Sequence, residues 1–263
     1  MAGVPLPIRR IVDVLVTSAA WLYFIIGFFV FFLPGLLAGL LAGGGFRAAV
    51  QRTYHWFFRG FFALVVALGP GLRRRIDPAV RGIRGAVVIS NHVSYLDPLL
   101  MVALFPRQTT FVKRGFFRVP LFGWCLRAVG YLPAGSDDGL DPAALRRIEA
   151  LGEHLRAGGI VFLFPEGHRG PPGSIGSFRK GAFRLARRFG VPVELLLIRN
   201  TDALFTPGRF LFRTCVPNTI EVERIGSLRF AGDAGDDGPA LSSRIEEAQQ
   251  AYRARLPGPA RFP

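Results

Sequence analysis

The stretch that decides the fold is Val87-Val88-Ile89-Ser90-Asn91-His92-Val93-Ser94-Tyr95-Leu96-Asp97-Pro98. Its first three residues are apolar and β-branched, so they predict a short buried strand rather than a helix. Proline pushes the residue before it out of the α region, and proline itself suits the first position of a helix. We therefore expect a helix that begins at Pro98, with Asp97 as its N-cap residue.

The polar turn after this strand holds one histidine and one aspartate. The loop can bring the side chains of His92 and Asp97 to one place. A histidine held by a carboxylate is the minimal apparatus for taking a proton from a hydroxyl. On this stretch alone a second interpretation stands equally: Asp97 only caps the helix, and His92 is a loop residue bonded to the backbone. The rest of the chain decides between the two.

The composition predicts one folded domain with a membrane segment. The chain has 263 residues, 50% of them hydrophobic, and a mean hydropathy of +0.33. This length suffices for an α/β domain of roughly 200 residues and a shorter membrane segment. Cys125 and Cys215 make no disulfide framework and have no metal-ligand spacing with the histidines, so we expect no metal.

The charge of the chain favours an anionic partner. The formal net charge is +15, carried almost entirely by arginine, because Lys113 and Lys180 are the only lysines. Such a charge suits nucleic acid, an anionic lipid surface or a phosphate-bearing substrate. The sequence has no zinc finger, aromatic-rich strand signature or helix-turn-helix pattern, so we expect no nucleic acid.

The N-terminal region predicts a membrane segment. No charged residue occurs from Val14 to Phe46, a run of about 33 positions against the roughly 20 that a spanning helix needs. Pro34-Gly35 interrupts the run, so either one long kinked span or a hairpin that turns near Pro34 fits. Basic residues flank both ends, which favours the hairpin: Arg9, Arg10, Arg47 and Arg52.

The next residues predict a surface helix and a linker. Phe46 to Leu68 has the pattern of an interfacial amphipathic helix with its aromatic face in lipid. Arg73-Arg74-Arg75 is typical of a basic linker, either solvated or in contact with anionic lipid. The predicted division is therefore a membrane segment at 1–45, the interfacial helix and linker at 46–76, the α/β domain at 77–256 and a tail at 257–263.

Apolar strands alternate with helices along the remainder, which predicts an α/β fold with a mostly parallel central sheet flanked by helices. The further strands expected are Thr109–Val112, Ile160–Phe164, Val193–Ile198, Arg209–Val216 and Thr219–Ile225. The further helices expected are Pro120–Gly130, one that begins at Asp141-Pro142, Ala182–Phe189 and Ser242–Leu256. Ligands of such sheets bind at the carboxyl ends of the strands, so we expect the site at the loops that follow Ile89 and Phe164.

The second loop adds groups that suit an anion. In Phe164-Pro165-Glu166-Gly167-His168-Arg169, the planar fork of Arg169 matches a phosphate, and Glu166 is placed to orient a hydroxyl or that arginine. Arg179 and Lys180 follow at the start of a helix, where backbone N–H groups also favour anions. Separately each feature has a plain explanation, as a turn proline, a surface glutamate or a solvated basic pair. Together they predict a site for an anionic substrate that carries a hydroxyl.

These motifs resemble the glycerolipid acyltransferase family, whose best known bacterial members acylate 1-acylglycerol 3-phosphate. The resemblance rests on Asn91-His92 with Asp97 and on Phe164-Pro165-Glu166-Gly167 with Arg169. It is supported by similarities at Lys113-Arg114, Val119–Trp124, Phe178–Gly181 and Val191-Pro192-Val193, and it covers about residues 80–200. It implies an enzyme of the bacterial inner membrane, active on the cytoplasmic side, that forms phosphatidic acid from a lysophospholipid and either acyl-CoA or acyl carrier protein.

The resemblance also implies roles for individual residues. His92 would be the general base and Asp97 would orient its ring, so that the acceptor hydroxyl attacks the thioester without a covalent acyl-enzyme. Lys113, or backbone N–H groups near it, would stabilise the oxyanion. The substrate-binding residues expected are Glu166, Gly167, Arg169, Lys113, Arg114 and Lys180. No metal or redox cofactor is implied.

Two departures from the family pattern keep alternatives open. Many relatives have an arginine where this chain has Gly135 and Ser136, and a threonine where it has His168. The first departure leaves another lysolipid, such as a lyso-aminolipid, as an alternative acceptor. A non-catalytic lipid-binding relative is a further alternative, although intact His92, Asp97 and Glu166 argue against it. A serine hydrolase is not expected, because the chain has no G-x-S-x-G elbow.

Overall fold

The structure is a computed structural model, and it describes residues 5–27, 29–30, 45–134, 142–230 and 238–256. Its strands are β1 (Leu72–Ile76), β2 (Ala86–Ser90), β3 (Gln108–Lys113), β4 (Leu132–Ala134), β5 (Ile160–Leu163), β6 (Val193–Arg199) and β7 (Asn218–Leu228). Its α-helices are α1 (Leu6–Gly27), α2 (Phe46–Leu68), α3 (Pro78–Arg81), α4 (Leu96–Leu104), α5 (Phe122–Val129), α6 (Pro142–Arg156), α7 (Gly181–Phe189), α8 (Thr201–Leu204) and α9 (Gly238–Arg253). A 3₁₀-helix spans Arg114–Arg118.

The strands form one seven-stranded sheet in the order β1-β7-β6-β2-β5-β3-β4. Neighbours from β6 through β4 run parallel, β7 runs antiparallel to β6, and β1 runs parallel to β7. The prediction of a mostly parallel sheet flanked by helices is confirmed. Because β2 lies in the middle of the sheet, the loop that follows it has the ends of β5 and β6 on either side.

Helices cover both faces of the sheet, so β2 is buried on each side. Val88 belongs to a core shared with α2 and α4, whereas Val87 and Ile89 belong to a core shared with α7 and α9. A smaller cluster under α6 includes Leu151 and Leu155. This double burial explains the continuously apolar sequence of the strand.

Helix α2 has the predicted bounds but a different environment. Its phenylalanines Phe57, Phe58, Phe61 and Phe62 are buried in the core with α4, so the prediction that its aromatic face lies in lipid is wrong. Helical periodicity reveals an apolar face, but it does not tell a bilayer from a protein core as the partner of that face.

The predicted linker is also wrong, because its three arginines lie in the edge strand β1. Leu72 pairs with Asn218 and Ile76 with Val222, and Arg75 makes an ion pair with Glu221. Charged side chains are a common means of protecting an exposed sheet edge from association. The sheet therefore begins at Leu72, before the predicted domain boundary at residue 77.

The segment 209–216 is not the strand that was predicted. This segment instead forms hydrogen bonds with α1. Oδ1 of Asp13 accepts hydrogen bonds from the backbone N–H (2.7 Å) and the hydroxyl (2.6 Å) of Thr214. The hydroxyl of Thr17 accepts a third bond from the N–H of Phe212 at 2.9 Å. Its backbone groups are thus used by a helix rather than by a neighbouring strand.

Helix α1 is long and apolar enough, by length and composition alone, to cross a membrane. Its inner face packs on α2, where the Tyr23 hydroxyl donates to the carbonyl of Phe57 at 2.9 Å. The opposite face exposes large apolar side chains: Leu6, Ile8, Ile11, Leu15, Leu22, Ile25 and Ile26. The predicted turn near Pro34, and with it the choice between one span and a hairpin, lies outside the described residues.

Candidate active site

Three loops meet at one edge of the sheet, because β2, β5 and β6 are neighbours and parallel. They follow Ser90, Leu163 and Arg199, as the rule for parallel sheets predicts. The first two loops are joined directly, since the N–H of Gly170 donates to the carbonyl of His92 at 2.9 Å. Asn91 fixes the first loop to β6 by two hydrogen bonds with the backbone of Ile198, each 2.8 Å.

His92 and Asp97 form a hydrogen-bonded pair in this edge. Nδ1 of His92 lies 2.9 Å from Oδ2 of Asp97, whose side chain is fully buried while that of His92 stays partly accessible. The same carboxylate oxygen accepts the backbone N–H groups of Val93 at 2.7 Å and Ser94 at 2.8 Å. An ionised carboxylate only accepts, so Nδ1 carries the hydrogen and Nε2 is left as a proton acceptor.

The role predicted for Asp97 as an N-cap is wrong. Helix α4 begins at Leu96, so Asp97 and Pro98 both lie in its first turn. Proline is tolerated there because the N–H it lacks would have no intrahelical partner. The carboxylate of Asp97 turns back onto the preceding loop instead of capping its own helix. The loop, rather than the helix end, is therefore what this residue fixes.

A cavity of about 720 Å³ opens beside His92. The His92 ring stacks on Phe164, with the ring centroids 4.2 Å apart. The wall includes the apolar side chains Phe111, Leu163, Ala182 and Leu185, and the cations Lys113 and Arg179. Its volume is that of a small-molecule site, and the combination of an apolar wall with a few cations suits an amphipathic anion.

Arg179 is fixed at the cavity by the loop after β5. Gly167 has φ +74°, a left-handed backbone that favours glycine, and a Cβ atom there would lie 2.7 Å from Nε of Arg179. The backbone N–H of Arg179 donates to the carbonyl of Pro165 at 2.8 Å. The absence of a side chain at Gly167 is what lets the guanidinium approach this turn.

The other predicted site residues lie around the cavity rather than in its lining. The buried carboxylate of Glu166 accepts the N–H of Gly176 at 2.8 Å and so braces the loop. The guanidinium carbon of Arg169 lies 3.5 Å from the ring centroid of Tyr95, a cation–π contact. Two predicted cations, Arg114 and Lys180, are exposed and are not among the described residues that line the cavity.

Two residues of this edge were missed by sequence reasoning. Thr201 is fully buried and its hydroxyl donates to Oδ1 of Asp97 at 2.5 Å. It follows β6 as His92 follows β2, and this position is the signal that could have found it. Next to it, burial raises the pKa of Asp202, and the negative charge of Asp97 raises this pKa further. The second missed residue is Tyr95, the aromatic partner of Arg169.

The site offers general-base chemistry beside an anion-binding wall. Within the described residues no group of three or more histidine, cysteine, aspartate or glutamate side chains is placed to hold a metal ion. The described lining of the cavity offers an imidazole that can accept a proton, at His92, and two cations that can stabilise negative charge, Lys113 and Arg179.

Comparison with known proteins finds sequences that are similar to this chain. The sequence model of the Acyltransferase family matches residues 74–194. The chloroplastic 1-acyl-sn-glycerol-3-phosphate acyltransferase LPAT1 of Arabidopsis thaliana is 35% identical over 47% of this chain. A 1-acyl-sn-glycerol-3-phosphate acyltransferase of Pseudomonas aeruginosa is 30% identical over 63% of this chain. The chain spans only 34% of the length of the plant protein and 61% of the bacterial one.

The fold also matches a solved structure. The crystal structure of a 1-acyl-sn-glycerophosphate acyltransferase from Thermotoga maritima superposes with a TM-score of 0.65 at 22% identity. The match covers 94% of this chain and 98% of the other. The fold is therefore shared over almost the whole length of both chains.

Proposed function

We propose that this chain is an acyltransferase that transfers a fatty acyl group to the free hydroxyl of 1-acylglycerol 3-phosphate and so forms phosphatidic acid. The relatives in plants and bacteria are named for this activity. The observation that carries the proposal is the hydrogen bond between His92 and Asp97 beside a cavity whose lining includes Lys113 and Arg179.

The proton transfer begins at His92. Asp97 holds the hydrogen on Nδ1, so Nε2 accepts the proton of the acceptor hydroxyl as that oxygen attacks the thioester carbonyl. The tetrahedral intermediate carries its negative charge on the former carbonyl oxygen. Its collapse breaks the carbon–sulfur bond, and the imidazolium returns the proton to the departing thiolate. The acyl group passes directly from sulfur to oxygen, with no acyl-enzyme.

Two cations of the cavity wall have separate tasks in this scheme. Lys113, at the carboxyl end of β3, stabilises the oxyanion, and such donors are typically worth about 3–4 kcal/mol. Arg179 binds the acceptor phosphate, and Arg169, whose planar guanidinium is held on Tyr95 outside the lining, adds positive charge around the cavity. Glu166 acts through the loop that it braces, as a positioning residue rather than as a direct ligand.

The donor is a thioester of coenzyme A or of acyl carrier protein, and no metal or redox cofactor takes part. The apolar wall of the cavity beside His92 suits the acyl chain that must reach the reacting carbon. We place the enzyme at the bacterial inner membrane, with this site on the cytoplasmic side. The exposed apolar face of α1 supports the membrane location, because it lies opposite the face that packs on the protein.

Purified protein in detergent with a labelled acyl thioester provides the test. The wild type is expected to acylate lysophosphatidate, and His92→Ala and Asp97→Ala are each expected to lower kcat at least about 100-fold. Circular dichroism shows whether each variant folds. Wild-type rates in either folded variant would refute the mechanism.

The same assay separates the alternatives by product mass. Acylation of a lyso-aminolipid but not of lysophosphatidate would replace the proposed acceptor and leave the mechanism standing. If the protein binds these lipids but acylates none of them with either donor, it is the non-catalytic relative.

A further inference from the structure

A second cavity, of about 190 Å³, lies beside the first residues of β3 and β4. Its lining includes Thr109 at the start of β3 and Leu132 in β4, whereas Lys113 at the end of β3 lines the active-site cavity. Thr110, the residue next to Thr109, also lines the active-site cavity, so both cavities adjoin the same strand. None of the residues that line one lines the other.

The polar lining of this second cavity is basic. We call it the arginine pocket, and its polar side chains are Arg47 and Gln51 of α2, Arg127 of α5, Arg147 and His154 of α6, Thr109 and Tyr131. No described residue of the lining is a carboxylate. In the described part of the chain, none of the three arginines makes an ion pair. Among the described residues, the lining of this cavity therefore carries three arginines and no carboxylate.

Contacts with neighbouring residues restrain two of these arginines. Gly130 has φ +86°, and a Cβ atom there would lie 2.6 Å from Nε of Arg47, so this glycine admits the guanidinium. Arg127 donates to the carbonyl of Phe117 at 2.8 Å, and its guanidinium carbon lies 5.8 Å from the Phe117 ring centroid. Both side chains are restrained before any ligand binds, which lowers the entropy cost of binding.

The backbone adds to the positive potential. Helix α2 begins at this pocket, because Arg47 and Gln51 lie in its first turns, and its N-cap Gly45 supplies no side-chain hydrogen bond. The N-terminus of a 23-residue helix favours a negative charge. Burial, and to a smaller extent the positive charges of Arg107 and Arg47, lower the pKa of His154.

We propose that the arginine pocket binds a phosphate group at a site distinct from the acyl-transfer centre. A phosphate matches the three guanidinium groups in charge and in planar hydrogen bonding, and the cavity is large enough for it. The group belongs either to the headgroup of an anionic phospholipid or to a free phosphate compound. The lipid source is suggested by sequence, because α2 directly follows the long apolar segment.

The experiment measures thermal unfolding of the full chain in a neutral detergent, in the Arg169→Ala/Arg179→Ala background. These two substitutions remove two cations of the active-site region, so that phosphate binding there does not dominate the measured unfolding midpoint. The test variant is Arg147→Glu. Its matched control is Arg146→Glu, an equally exposed neighbour on α6 that does not line the pocket. Arg47→Gln is a second test variant with a smaller change of charge.

Inorganic phosphate and dihexanoyl phosphatidylglycerol are added in separate arms. The unfolding temperature of the background protein and of the Arg146→Glu control is expected to rise by about 2–4 °C. This rise is expected to be lost in Arg147→Glu and reduced in Arg47→Gln. A rise with inorganic phosphate supports a site for phosphate itself, and a rise only with the lipid assigns it to a headgroup. No rise in either arm, or equal loss in Arg146→Glu, would overturn the proposal. The proposed catalysis at His92 is not tested by either result.

Discussion

The hydroxyl of Thr201 donates to Oδ1 of Asp97 at 2.5 Å, across 104 positions of sequence. The other carboxylate oxygen is already occupied by His92 and by two backbone N–H groups. Each oxygen of this fully buried carboxylate is therefore satisfied within the protein, which keeps a buried charge tolerable and fixes its direction. Thr201 holds the group that orients the proposed base.

Replacing Thr201 by valine should test that relationship at almost constant volume. Hydrogen bonds to charged groups contribute about 1.5–3 kcal/mol, and 1.36 kcal/mol corresponds to a tenfold change in rate. We expect kcat to fall about tenfold or more, with little change in the KM of either substrate. Thr201→Ser restores the hydroxyl and should recover most of the rate. A Thr201→Val enzyme with unchanged kcat would show that the bond does not position Asp97.

Gly167→Ala should disturb the phosphate-binding side of the cavity. A non-glycine residue in the left-handed region costs about 1–2 kcal/mol, and the new methyl group would meet Arg179 at 2.7 Å. We expect a lower unfolding temperature and a severalfold higher KM for the acceptor, measured by thermal unfolding and steady-state kinetics. Gly190→Ala is the control: Gly190 is also left-handed, with φ +62°, but a Cβ atom there meets nothing within 4 Å and the residue does not line the cavity. Equal effects in the two variants would contradict this account of Gly167.

Arg179 and Lys180 offer a matched pair of adjacent cations. Only Arg179 lines the cavity, although both are exposed. We expect Arg179→Ala to raise the KM for lysophosphatidate about tenfold or more, since a hydrogen bond to a charged group contributes about 1.5–3 kcal/mol. Lys180→Ala should stay within about twofold of the wild type. A larger effect at Lys180 would restore the assignment that the sequence suggested.

The position of the candidate site could be predicted from sequence because it depends only on where the parallel strands end. Apolar runs that end at polar loops identify parallel strands, and the ends of adjacent parallel strands meet. This reasoning located His92 and the loop that carries Glu166. It did not find Thr201, because a threonine has no distinctive chemistry and the order of strands in the sheet is not written in the local sequence.

The partners of apolar faces were the part that sequence could not determine. The phenylalanines of α2 fit a bilayer and a protein core equally well, and only the packed structure shows that they meet α4. The segment 209–216 has a strand-like composition, but its backbone is bonded to Asp13 and Thr17. The sequence also did not distinguish Arg179, which lines the cavity, from Lys180, which is not among the lining residues.

His154 predicts how stability depends on pH. Its Nε2 donates to the carbonyl of Ile160 at 3.1 Å, and burial, with Arg107 and Arg47, lowers its pKa below the usual 6.5. The unfolded chain then binds more protons than the folded one, so the stability due to neutral His154 is present above pH 6.5 and is lost as the pH falls below it. We expect the unfolding temperature of the wild type to fall more between pH 7 and 5.5 than that of His154→Gln, which does not titrate there. Phosphate bound in the arginine pocket would raise the pKa of His154 and reduce the difference. Parallel pH profiles for the two proteins without phosphate would contradict the lowered pKa.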